Sequence, residues 1–162
     1  MSAVEIIAAS LAEQELEHER LDGATFAVAL PGEKRLKTAC VLTVGAHALE
    51  IEAFVMRRPD ENREQVYAFL LQRNARMYAV SWAIDSTGDV YLSGRVALTS
   101  VTPDEIDRIL GCVLEYADGT FNTLLELGFA SSIRREWAWR VKRGESLANL
   151  AAFKAFAERE PE

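Results

Sequence analysis

The sequence predicts an α+β fold: a single antiparallel β-sheet with helices packed on one face. Three features predict it. Apolar residues alternate with period two in short runs separated by tight turns, so consecutive strands form hairpins. A strong helix start at Thr102-Pro103-Asp104-Glu105 opens a long amphipathic stretch. The strand runs are interrupted by one helix, with no repeating strand–helix–strand unit, which favours an antiparallel sheet.

The first element is expected as a helix over residues 3–20, with Val4, Ile7, Ala8 and Leu11 at helical spacing and Ser2 as N-cap. Its second half is dense in glutamate, and the first 22 residues carry a net charge of −5. That reads as a solvated helix face or as an acidic surface for a basic partner. Three strands follow. Residues 24–30 alternate around Phe26, Val28 and Leu30 and close on the turn Pro31-Gly32-Glu33-Lys34. Residues 36–44 form the second, ended by Gly45-Ala46-His47. Residues 49–56 form the third, with Leu49, Ile51, Ala53 and Val55 on one face and Glu50, Glu52 and Phe54 on the other.

Pro59 stops this strand and Asp60 is placed to cap a helix over 62–74, whose apolar stripe is Val66, Phe69 and Leu70. Two strands follow, 78–84 and 90–98, joined by the Gly-containing loop Asp85-Ser86-Thr87-Gly88-Asp89; Tyr78, Val80, Trp82 and Ile84 are expected on one face. Thr102 then sits as N-cap, Pro103 at the first helical position and Glu105 at the third, the spacing of a capping box. The stripe Ile106, Ile109, Leu110, Val113, Leu114 and Ala117 continues into Phe121, Leu124 and Leu125 unless Asp118-Gly119 interrupts it, and Gly128 is a C-cap candidate. Further helices are expected over 133–141 and 146–158, followed by a frayed tail at 160–162.

Composition narrows the function. The 162 residues are 49% apolar and 27% charged, which suits one globular domain with a real core. The net charge of −7 disfavours general binding to nucleic acid or anionic membrane. Neither a targeting segment nor a membrane-length apolar run is present, so the expected location is the cytoplasm, where Cys40 and Cys112 read as reduced thiols. Phosphate-binding glycine loops, zinc and calcium spacings and the serine-hydrolase elbow are all missing. The two histidines, His18 and His47, fall in polar surface-like segments. The clustered Asp104, Glu105 and Asp107 have a sufficient reason in the helix dipole. No catalytic residue, metal site or cofactor is therefore expected.

One segment departs from the rest. Residues 131–145 carry +3, leaving −10 on the remainder, and hold two of the three tryptophans. Arg134, Arg135, Trp137, Trp139 and Arg140 form the candidate interface. Two residues apart on a helix, one indole can face the core while the other faces outward. Arginine beside an exposed tryptophan is a composition typical of interface hot spots. Three readings stand side by side: arginines paired with the acidic N-terminal helix, a protein or peptide interface, or an anionic ligand such as nucleic acid.

The strand pair 78–84 and 90–98, the helix opening at Thr102-Pro103-Asp104-Glu105, and the stretch from Leu124-Leu125-Glu126-Leu127-Gly128-Phe129 into Ile133-Arg134-Arg135-Glu136-Trp137-Ala138-Trp139 resemble the bacterial YbjN family, particularly its actinobacterial members. The resemblance spans residues 4–156. It implies one domain over 1–162, with a helical extension at about 131–158. It also implies the α-β-β-β-α-β-β-α order of class I type III secretion chaperones, with one extra C-terminal helix. Such chaperones are small, acidic, usually dimeric, and bind extended segments of other proteins. The expected function is a non-enzymatic protein-binding module, chaperone-like or regulatory, with a protein or peptide partner and a possible homodimer. The alternative is a small-ligand sensor, for a metabolite or acyl group, with its pocket between sheet and helices.

Overall fold

Ser2 starts the first helix as its chemistry predicts. Its hydroxyl accepts from the Glu5 amide at 3.3 Å, while the Glu5 carboxylate accepts from the Ser2 amide at 3.0 Å. The computed structural model describes residues 1–159, so the tail expected at 160–162 lies outside the described residues. Helix α1 spans Ala3–Glu13 and stops there, seven residues short of the expectation. Glu15 adopts a left-handed φ of 54°, and His18–Arg20 form a short strand, β1, paired with residues 26–28. The glutamate-rich stretch is thus not a helix face. The local helix propensity of this stretch, rich in glutamate, glutamine, leucine and arginine, yields to pairing with an available sheet edge.

The expected meander follows: β2 (Thr25–Pro31), β3 (Lys37–Val44) and β4 (Ala48–Met56). Helix α2 (Arg63–Asn74) separates them from β5 (Ser81–Ile84) and β6 (Val90–Ala97). All pairings are antiparallel, in the order β1-β2-β3-β4-β6-β5. Period-two patterning divides the sheet cleanly. Phe26, Val28, Leu30, Cys40, Leu42, Leu49, Ile51, Ala53, Val90 and Leu92 are buried on the helix-covered face. Helix α3 (Pro103–Gly128) lies across that face against β2, β3 and β4, with α1 and α2 packed beside it. The opposite face carries Glu50, Glu52, Phe54 and Arg95 in the open.

Several local expectations need correction. Asp60 does not cap α2. Its carboxylate holds Arg57 instead, and Asn62 takes the cap position with a left-handed φ of 53°. The strand expected from residue 78 begins only at Ser81, because Ala79 turns left-handed at φ 63° and the chain crosses over β6. Gly94 permits the crossing, since any Cβ there would strike the Ala79 carbonyl. Tyr78 and Ile84 consequently stay exposed, while Val80 and Trp82 enter the core. Asp118-Gly119 does not interrupt α3, which runs 26 residues. Thr102 caps it by accepting from the Glu105 amide at 3.1 Å, but the reciprocal half of the box is missing because the Glu105 carboxylate accepts from the Tyr78 hydroxyl instead.

Gly128 is the last residue of α3 rather than its cap, with Pro59 packed so closely that a Cβ would lie 3.0 Å from the proline ring. Phe129 joins α3 to α4 (Ala130–Arg143), which ends on Gly144 in the left-handed conformation. A 3₁₀ segment (Ala148–Phe153) and a short α5 (Lys154–Glu158) then fold back on α4, where a single helix was expected. Among the described residues no helix is long and apolar enough to cross a membrane.

Candidate functional site

The turn between β2 and β3 delivers Arg35 to one end of the sheet. Asp118 holds that turn from the middle of α3, its Oδ1 accepting from the amides of Lys34 and Arg35 at 2.9 Å each. The Arg35 side chain then crosses the sheet's end, donating to Thr38 Oγ1 at 3.2 Å and to the Phe54 carbonyl at 3.3 Å. Its guanidinium lies 5.9 Å from the Phe54 ring and 5.4 Å from the Phe121 ring. Burial draws the Arg35 pKa below the ordinary arginine value.

A second arginine works from the opposite side. Arg57, just beyond β4, stacks 4.3 Å over Phe129, and Asp60 fixes it through two hydrogen bonds of 2.7 and 3.2 Å. That bonding to Asp60 raises the Arg57 pKa. Between the two arginines lies an open groove of about 520 Å³ walled by Phe54, Met56, Phe121, Leu125 and Phe129. It ends at Ser132 on α4, which also borders a broader depression of about 600 Å³ formed with Arg135, Glu136 and Trp139. Groove and depression adjoin at Ser132, the groove apolar at its floor, with Arg35 and Arg57 on the groove and Arg135 on the depression.

The residues singled out in 131–145 divide between the depression and other contacts. Arg135 and Trp139 both line the depression, and Trp139 is 46% exposed. Arg143 lies 5.1 Å over the Trp139 ring. Trp137 is half-buried. Arg134 turns to the C-terminal segment and stacks 4.2 Å over Phe156, its buried Nε without a hydrogen-bond partner among the described residues. Arg140 is held by Glu136 at 2.7 Å and by the Ser146 carbonyl at 2.9 Å. Among the described residues the ion pairs of this segment are local, Arg140–Glu136 and Arg143–Glu145, and none reaches the N-terminal glutamates.

Sequence reasoning missed Arg35, Arg57, Phe54, Phe121 and Phe129. Phe54 carried a signal, since it falls on the strand face otherwise occupied by Glu50 and Glu52. Cys40 and Cys112 are free thiols on different elements. Burial pushes the Cys40 thiol up to about 12, far from nucleophilic use at neutral pH. His18 and His47 are exposed, and Nδ1 of His18 lies 2.7 Å from the Leu16 carbonyl.

A six-stranded antiparallel sheet with helices on one face is a fold shared with chains of solved type III secretion and chaperone–effector complexes. One chain of the ExoU–SpcU complex of Pseudomonas aeruginosa superposes with a TM-score of 0.54 at 20% identity, covering 75% of this chain and 96% of its own. One chain of the ExsC–ExsE complex gives 0.55 at 18%, covering 75% and 92%. One chain of the HopA1–SchA chaperone–effector complex gives 0.53 at 13%, covering 71% and 89%. At these identities the likeness is one of fold.

The chain belongs to the YbjN family, described as "Putative bacterial sensory transduction regulator", whose model matches residues 3–126. It is 58% identical over 139 residues to an uncharacterised protein of Mycobacterium tuberculosis, covering 85% of this chain and 76% of that one. An uncharacterised Mycobacterium leprae protein is 61% identical over 126 residues, covering 78% and 68%. The family match ends inside α3, so α4 and the basic segment 131–145 lie beyond it, although the resemblance read from the sequence extended through them.

Proposed function

We propose that this protein is a non-enzymatic binding module that holds an extended, apolar and acidic segment of a partner protein, in a chaperone-like or regulatory role. The groove between Arg35 and Arg57 carries the reading. Its floor is aromatic and aliphatic, and its two cations are already oriented by stacking and hydrogen bonds, which lowers the ordering cost of binding. The chain as a whole is acidic, so a cationic groove selects against most of its own surface and for an acidic ligand. The structural neighbours come from complexes with other proteins, ExoU–SpcU and the HopA1–SchA chaperone–effector complex, which supports the same reading. Arg135 and Trp139 extend the contact surface beyond Ser132. One domain with α4 and α5 as an extension, located in the cytoplasm, belongs to this proposal. So does a homodimer, for which light scattering should read twice the 18.0 kDa of one chain.

Fluorescence anisotropy with a panel of short labelled peptides tests it. Peptides alternating apolar and acidic residues should bind, and the same peptides with lysine in place of the acids should not. Phe54→Ala and Arg57→Gln should each weaken binding about tenfold or more, the effect of losing an interface anchor. Phe54 is 39% exposed, so its truncation should leave stability within about 0.5 kcal/mol. If no peptide binds, or both variants bind like the parent chain, the proposal fails.

A further inference from the structure

A second concavity, of about 360 Å³, lies between α2 and α3, away from the groove. Phe69, Met77, Trp82 and Tyr116 form its walls, and Arg73 and Arg76 stand at its rim. The walls are held in place. Trp82 has both backbone polar groups tied to the Asn74 side chain, and the Tyr116 hydroxyl accepts from the Tyr78 amide at 2.9 Å. Arg73 stacks 4.3 Å over Phe69, which orients its guanidinium along the wall. Among the described residues no carboxylate lines the cleft, in a chain whose acidic residues outnumber its basic ones 25 to 18. Among the described residues, neither Arg73 nor Arg76 has a carboxylate oxygen within 4.0 Å.

We propose that this cleft binds a small organic carboxylate with an aromatic or short aliphatic body. The size falls within the ordinary range of ligand pockets, roughly 300–1,000 Å³. The rings of Trp82, Tyr116 and Phe69 bury the apolar body, and Thr120 adds a hydroxyl to the wall. The carboxylate meets two guanidinium groups that have no ion-pair partner among the described residues, one of them oriented by its stacking on Phe69. Specificity follows from this division: an uncharged analogue keeps the apolar contacts and forfeits the charge-assisted bonds. The site uses none of the residues of the Arg35–Arg57 groove, so it stands whether or not that groove holds a peptide.

Thermal unfolding and tryptophan fluorescence should be followed with 3-phenylpropionate and hexanoate, each against its neutral amide. Both carboxylates should raise the unfolding midpoint in a saturable way and change the emission of Trp82, and their amides should not. The double variant Arg73→Gln/Arg76→Gln, at two exposed positions, should weaken carboxylate binding about tenfold or more. The proposal is overturned by equal effects of acid and amide, by no effect of either carboxylate at millimolar concentration, or by undiminished binding in the double variant. The acid–amide comparison decides on the parent chain alone should the variant fold poorly.

Discussion

Asn74 pairs with the backbone of Trp82 as a neighbouring strand would: its Nδ2 donates to the Trp82 carbonyl at 3.1 Å and its Oδ1 accepts from the Trp82 amide at 2.6 Å. Trp82 lies in β5, the last strand on that side of the sheet. The last residue of α2 therefore covers part of an edge that could otherwise pair with another chain. Asn74→Ala leaves two backbone groups without partners, and about 1–3 kcal/mol of stability should be lost. Urea unfolding measures the loss. Light scattering of the variant at rising concentration should show assemblies larger than the dimer proposed for the parent chain.

Asp118 predicts a pH dependence. Burial pulls its carboxyl upward, but the amides of Arg35, Lys34 and Glu33 and the charge of Lys34 outweigh this and hold it below the ordinary aspartate range. A carboxyl depressed in the folded state contributes stability that is fully present above its unfolded pKa, about 3.9, and is lost as pH falls through the lower folded value. Asp118→Asn should therefore cost about 1 kcal/mol at neutral pH. That difference should shrink as pH falls below about 4. A gap between parent and variant that stays constant from neutral pH to acid would contradict the assignment.

Gly94 predicts intolerance. A methyl group there meets the backbone carbonyl of Ala79, which cannot swing aside as a flexible side-chain end could. Gly94→Ala should destabilise by about 1–3 kcal/mol or more through forced backbone movement. Gly111→Ala is the control, since a Cβ there meets nothing within 4 Å and an exposed helix interior favours alanine by about 1 kcal/mol. Calorimetry should place the two variants on opposite sides of the parent chain.

The two thiols should differ in reactivity. Cys40 is fully buried with its pKa raised to about 12, whereas Cys112 is half-buried on α3. Thiolate reagents at neutral pH should label one cysteine per native chain, Cys112, and both after denaturation. Rapid native labelling of Cys40 would show that β3 opens far more readily than its burial implies.

Much of the fold was legible in the sequence, and the candidate site was legible only in part. The elements read correctly have their determinants close along the chain. Ser2 and Glu5 close their box three residues apart, Thr102 caps the helix it precedes, and the alternation of β2, β3 and β4 marks which face is buried. Arg135 and Trp139 were also legible, because they are neighbours on one helix and drew notice by composition.

What only the tertiary structure decided depends on partners distant in sequence. Residues 14–20 leave the helix, and His18–Arg20 form an edge strand because β2 lay open to pair with them, against a local pattern that suggested helix. Residues 78–80 leave the strand to cross Gly94, and Asp60 forgoes its capping role for Arg57. The groove brings Arg35 to Phe121, and Arg57 to Phe129, across more than seventy residues. Periodicity and capping act within a turn or two of chain, so they set the elements and the buried face. Stacking and ion pairing act through space, so the cationic groove exists only once α3 lies across the sheet.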